Sequence, residues 1–106
     1  MKTFSWTQLK TRGDIVQPRD EHTAVLDETS ASMVIFGGFQ GGERVNEVAF
    51  YNLKTNVWQK VVYANEALVP SARSGHSAVA HQGHMYVFGG KSDKSVKLND
   101  LWQFNF

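Results

Sequence analysis

One phrase occurs twice in this chain. Met33-Val34-Ile35-Phe36-Gly37-Gly38 returns as Met85-Tyr86-Val87-Phe88-Gly89-Gly90, fifty-two residues later. Each copy is a short apolar run rich in β-branched and aromatic residues, halted by two glycines. A run this short reads as a buried strand, because a helix needs about twice the length. Glycine lacks a Cβ, so a pair of them ends a strand sharply and lets another backbone approach closely.

The chain around these phrases is also written in duplicate. Arg19, His22, Ala24 and Val25 match Arg73, His76, Ala78 and Val79. Asn46 and Asn52 match Asn99 and Asn105, and Trp6 matches Trp58. The small register changes fall in turns and loops, where insertions are tolerated. Residues 4–9 alternate apolar and polar as a half-buried strand does, and residues 21–26, 47–51 and 57–61 read as further strands. Residues 10–20 read as a loop with Gly13 and Pro18, and residues 39–44 as a glycine-rich loop. Only residues 64–69 invite a helix, and that stretch is too short to stand alone. Repetition near fifty residues with four strands per unit points to an all-β array such as propeller blades.

At 106 residues the chain suits one domain or part of one. Its 42% hydrophobic fraction and 12% aromatic content describe a globular chain rather than a disordered one. A net charge of +1 gives no surplus for nucleic acid, and no apolar stretch is long enough to cross a membrane. Residues 1–6 lack the apolar core of a signal peptide. Cysteine is absent, which fits a reducing compartment, so a cytoplasmic location is expected.

The ordered series carries a family resemblance. Arg19, His22, Phe36-Gly37-Gly38, Asn46-Glu47-Val48, Tyr51 and Trp58 are repeated as Arg73, His76, Phe88-Gly89-Gly90, Asn99-Asp100-Leu101 and Phe104. This series resembles the kelch repeat over almost the whole chain. One departure is Asp20-Glu21, where Ser74-Gly75 stands in the second copy. The resemblance implies a β-propeller of four-stranded antiparallel blades, with the tryptophan strand outermost. Residues 1–9 would then be the outer strand of a blade completed by another chain. Residues 10–62 would form the first full blade, and residues 63–106 a second blade lacking its outer strand.

Propellers contain about four to eight blades, and closure protects the blade faces. Two blades alone would leave apolar faces bare, and bare apolar patches mark association sites. The expectation is therefore a head-to-tail homo-oligomer, with residues 4–9 of one copy beside residues 101–106 of the next. Three copies, hence six blades, are favoured. The alternative is a piece of a longer propeller chain.

Chemistry is harder to find. His22 and His76 occupy equivalent repeat positions, which favours a structural role over metal ligation. His81 and His84 flank a turn without cysteine or clustered carboxylates beside them, so no metal or cofactor is expected. The run from Gly37 to Gly42 is followed by a strand, whereas a phosphate cradle needs a helix N-terminus. Glu47 and Asp100 recur at one blade position, and Arg19 and Arg73 are their natural partners because a guanidinium fork suits a carboxylate. Galactose oxidase, a related propeller, uses a cysteine-crosslinked tyrosine that this chain cannot form.

The expected function is a non-catalytic protein-interaction scaffold, not an enzyme. An enzyme with a metal site at the ring centre is the other class. The resemblance implies that loops after the second and fourth strands share one face. Carried over, that face comprises residues 10–19, 39–45, 63–72 and 91–97. Arg12, Arg44, Lys91, Lys94 and Lys97 would make it positive, suiting a protein or acidic peptide.

Overall fold

The computed structural model describes residues 2–106. Ten strands form, numbered in chain order: β1 (Arg12–Gly13), β2 (Thr23–Asp27), β3 (Ser32–Phe36), β4 (Phe39–Gln40) and β5 (Glu43–Arg44). They continue with β6 (Val48–Asn52), β7 (Val57–Lys60), β8 (Ser77–His81), β9 (His84–Phe88) and β10 (Leu101–Asn105). A three-residue 3-10 turn at Glu66–Leu68 is the helical content of the described residues.

The first blade is a sheet in the order β1-β7-β6-β3-β2. Strands β2, β3, β6 and β7 meander antiparallel, each pairing the next. Short polar side chains hold the tight turns. Asp27 accepts the Thr29 N–H at 3.2 Å and the Ser30 hydroxyl at 2.6 Å. Asn52 accepts the N–H groups of Lys54 and Thr55 at 2.9 and 3.0 Å. Such side chains substitute for the backbone acceptor that a turn lacks. The second blade has the order β10-β9-β8, so β10 has a free edge.

The repeated phrases are the central buried strands, β3 and β9. Side chains alternate across a strand, so β3 sends Val34 and Phe36 to one face and Met33 and Ile35 to the other. Val34, Phe36 and Val48 of the first blade meet Met85 and Val87 of the second in one core. Phe50, Phe104 and Phe106 extend it, with ring centroids 6.1 to 6.3 Å apart. Both blades thus share one core.

The outward face of the second blade shows what that packing does. Phe36 is 1% exposed, but its repeat equivalent Phe88 is 51% exposed. Val48 is 1% exposed, but Leu101 is 68% exposed. The same positions carry apolar residues in both blades, and only the first has a neighbour on that face.

Two readings of the sequence are corrected. Residues 4–9 form no strand within the single chain, where Trp6 is fully exposed and Phe4 is 95% exposed. Alternation marks a segment able to bury one face, yet a strand also needs a partner for its N–H and C=O groups, and the described residues supply none here. Residues 39–44 are a hairpin, with Phe39 paired to Arg44 and Gln40 to Glu43. Within residues 10–20, Arg12 and Gly13 pair parallel to Val57 and Trp58.

Candidate interaction surface

Both glycine pairs end their strands against a neighbouring backbone. Gly38 has φ +111°, and a Cβ there would lie 2.7 Å from the Asp20 carbonyl oxygen. Gly90 has φ +96° and the same 2.7 Å conflict with the Ser74 carbonyl. This close approach lets each strand end beside the segment that enters its blade. Gly38 N–H donates across the blades to the Arg73 carbonyl at 2.9 Å, next to Gly37. Gly89 N–H donates to the Asp100 carbonyl at 3.2 Å.

The repeated arginines are buried and paired. Arg19 donates to Glu47 at 2.7 Å, with its side chain 3% exposed. Arg73 is wholly buried and gives both arms to Asp100, at 2.7 and 2.8 Å, and a further bond of 3.1 Å to the Gly89 carbonyl. The Arg73 guanidinium holds the Asp100 carboxyl well below the usual carboxylate range, with help from the Trp102 indole N–H. These pairs fasten the start of each blade to the entry of its third strand.

The histidines part company. His22 is exposed, whereas His76 is 7% exposed at the seam between blades. His76 Nε2 lies 3.0 Å from the Phe36 carbonyl and 2.9 Å from Thr23 Oγ1. A carbonyl can only accept, so Nε2 carries the proton. Nδ1 is left buried without a partner. Burial, then the nearby Arg73 and His22, push the His76 pKa below its ordinary value despite the carbonyl bond.

Trp58 packs on Tyr51 with ring centroids 5.0 Å apart, and the Tyr51 hydroxyl bonds Asn56. Trp6, its repeat equivalent, touches no such partner and projects into solvent.

Strand direction sorts the loops into two ends. The β2–β3, β6–β7 and β8–β9 turns share one end; residues 37–47, 61–73 and 89–100 lie at the other. Arg44, Lys91, Lys94 and Lys97 meet at this second end. Arg44 Nε donates to Ser74 Oγ at 2.8 Å, its N–H reaches Asp93 at 2.9 Å, and its guanidinium lies 5.4 Å from the Phe39 ring centroid. Arg44 is thus a half-buried brace between blades. Lys91, Lys94 and Lys97 are exposed, and the ion pairs among the described residues involve none of them. Arg12 does not join this group, contrary to the sequence reading. It donates to the Thr55 carbonyl at the opposite end, because pairing with β7 starts beside the β6–β7 turn.

Two features of this end escaped the sequence reading. The hairpin that carries Arg44 was signalled by Gly41-Gly42, a pair suited to a two-residue turn with φ of +59° and +89°. Tyr63 had no such signal. Its hydroxyl donates to the Asn46 carbonyl at 2.7 Å, and burial with nearby Glu47 and Glu66 pushes its pKa up to about 12. Among the described residues no three His, Cys, Asp or Glu side chains gather as a metal site would require. Among the described residues no helix is long and apolar enough to cross a membrane.

A family model described as the KLHDC2/KLHL20/DRC7 kelch-repeats domain matches residues 1–106. The chain belongs to the kelch-repeat family. Its kelch relatives include kelch domain-containing protein 3 of Bos taurus, 28% identical over 97% of this chain and 28% of that protein. The leucine-zipper-like transcriptional regulator 1 homolog of Drosophila melanogaster is 30% identical over 99% of this chain and 11% of its own length. Human host cell factor 2 is 36% identical over 80% of this chain and 11% of its own length. The chain spans between 11% and 28% of the length of these relatives.

Proposed function

We propose that this chain is a non-catalytic kelch interaction module that holds an acidic segment of a protein partner on its cationic loop end. The observation that carries this reading is the meeting of Arg44 with Lys91, Lys94 and Lys97. The hairpin of one blade and the long loop of the other build that patch, so it exists only when the blades are docked. The lysines are free for a carboxylate-bearing partner, while Arg44, braced on Ser74 and Phe39, presents a fixed edge. Exposed cations steer an anionic partner and lose strength as salt rises. A chain without cysteine suits the reducing cytoplasm in which such a partner would be met.

The ring that would present this patch is part of the same proposal: three copies, head to tail, giving six blades. Support comes from Phe88, Leu101 and Val79, which are exposed although the equivalent positions of the first blade are covered by a second one.

Titration of a fluorescein-labelled glutamate-rich peptide tests the patch. The unmodified chain should bind it with a steep salt dependence. The triple substitution Lys91→Glu, Lys94→Glu, Lys97→Glu should weaken binding at least tenfold with an unchanged circular dichroism spectrum. No binding by the unmodified chain, or equal binding by the triple variant, refutes the reading.

A further inference from the structure

We infer that residues 73–76 form a proton-sensitive clasp between the two blades, with His76 as its sensing group, so that acid loosens this seam ahead of the blades themselves. The clasp needs neither a partner nor a second copy of the chain.

Each residue of this segment bonds the first blade. The Arg73 carbonyl accepts the Gly38 N–H at 2.9 Å, and the Arg73 N–H donates to the Val45 carbonyl at 3.2 Å. Ser74 Oγ accepts from Arg44 Nε at 2.8 Å. Gly75 N–H donates to the Glu21 carbonyl at 2.9 Å. His76 Nε2 reaches the Phe36 carbonyl at 3.0 Å and Thr23 Oγ1 at 2.9 Å. Four consecutive residues thus bridge to the first blade without a gap. Because Arg44 is braced on Ser74, the clasp also governs how firmly the loop end is built.

His76 is the member that a proton can change. Nε2 already holds its hydrogen for the Phe36 carbonyl, so the neutral ring must take up a second proton at Nδ1. Nδ1 is buried and has no hydrogen-bond partner. The ring has no slack on the first-blade side. A Cβ on Gly37 would lie 2.7 Å from its Cε1, and the Phe36 ring meets it edge-on with centroids 5.1 Å apart. A buried charge without an acceptor is costly, and water reaching Nδ1 relieves it.

The surrounding groups add to that cost. Arg73, on the same segment, is a buried cation engaged by Asp100, and it opposes a charge on His76, as does His22 on the approach to β2. Asp20 and Glu21 on that approach are exposed, as is Lys91, which meets Ser74 through its backbone. Strand β2 turns Thr23 to the ring and β3 presents the Phe36 carbonyl, both on the Nε2 side. None of these groups accepts from Nδ1. His76 therefore titrates lower in the closed seam than in water, and the seam weakens as pH falls through the ordinary histidine range toward that lower value.

Amide hydrogen exchange of the full chain, read residue by residue by NMR at about pH 7.5 and pH 5.5, tests the clasp. Gly38 and Gly75 bond across the seam, and their protection factors should fall about threefold or more over this step. Ile35, in the middle of β3, should stay better protected than both at each pH. Thr55, in the β6–β7 turn at the opposite end, should not respond. His22→Gln should keep the response, and His76→Gln should lose it. In the unmodified chain the His76 ring should titrate below the exposed His22 ring. Four results would each overturn the inference: no acid response of Gly38 and Gly75 in the unmodified chain, a response that survives His76→Gln or vanishes in His22→Gln, Ile35 exchanging as fast as Gly38, or His76 titrating together with His22.

Discussion

The two blades carry one side-chain position with two fates, and replacing it in each gives an internally controlled test. Phe36 and Phe88 end equivalent strands, but Phe36 is 1% exposed and Phe88 is 51% exposed. Phe36 sits in the shared core and meets the edge of the His76 ring with centroids 5.1 Å apart. Truncating a fully buried phenylalanine to alanine costs about 3–5 kcal/mol, from lost transfer energy and the cavity left behind. Phe88 has about half its surface in water already, so Phe88→Ala should cost roughly 1–2 kcal/mol. With a urea slope near 2 kcal/mol per molar, Phe36→Ala lowers the unfolding midpoint by about 2 M and Phe88→Ala by less than about 1 M. The assay is urea unfolding followed by tryptophan fluorescence, at protein concentrations where the chain is monomeric. Raising the concentration should enlarge the Phe88→Ala effect, because the proposed assembly would cover that face. Equal costs in the dilute monomer would refute the face-to-face packing of the blades.

Other outcomes follow from the buried polar groups. Asp100→Asn removes the carboxylate that meets wholly buried Arg73; because Asp100 is itself partly solvated, the loss should be about 2 kcal/mol rather than the larger cost of a fully buried pair, read from the same urea curves. Gly90→Ala should destabilise more than Gly83→Ala, since both have positive φ but only Gly90 would drive a Cβ against the Ser74 carbonyl. The folded pKa of His76 is lowered, so the unfolded chain takes up its proton first; stability present above about pH 6.5 is lost as pH falls toward the folded value. Unfolding midpoints at about pH 7.5 and pH 5.5 should therefore differ, and the difference should shrink in His76→Gln. A flat profile in the parent chain would remove the seam histidine from the account. In spectrophotometric titration Tyr63 should ionise near pH 12, and Tyr63→Phe should delete the phase at that pH.

Much of the architecture was legible because the chain states its blade twice. A duplicated pattern cancels local ambiguity: each strand assignment in one copy is checked by its equivalent in the other. The carboxylate partners of Arg19 and Arg73 were readable for the same reason, since all four residues recur in order. What could not be read was what lies next to what across the repeat. His22 and His76 are interchangeable in sequence, yet only His76 has a blade on the side that buries it. Residues 4–9 have strand periodicity, but no strand of the described residues pairs with them. Arg12 was grouped with Arg44 by loop membership, while its pairing with β7 carries it to the far end. At the loop end, Ser74 and Asp93 come from the second blade to position Arg44 of the first, a contact that no local pattern encodes.

Native mass spectrometry at micromolar concentration tests the proposal that further copies of the chain cover the exposed outward face of the second blade. The proposal predicts a dominant species of three chains. A spectrum of single chains at every concentration would contradict it.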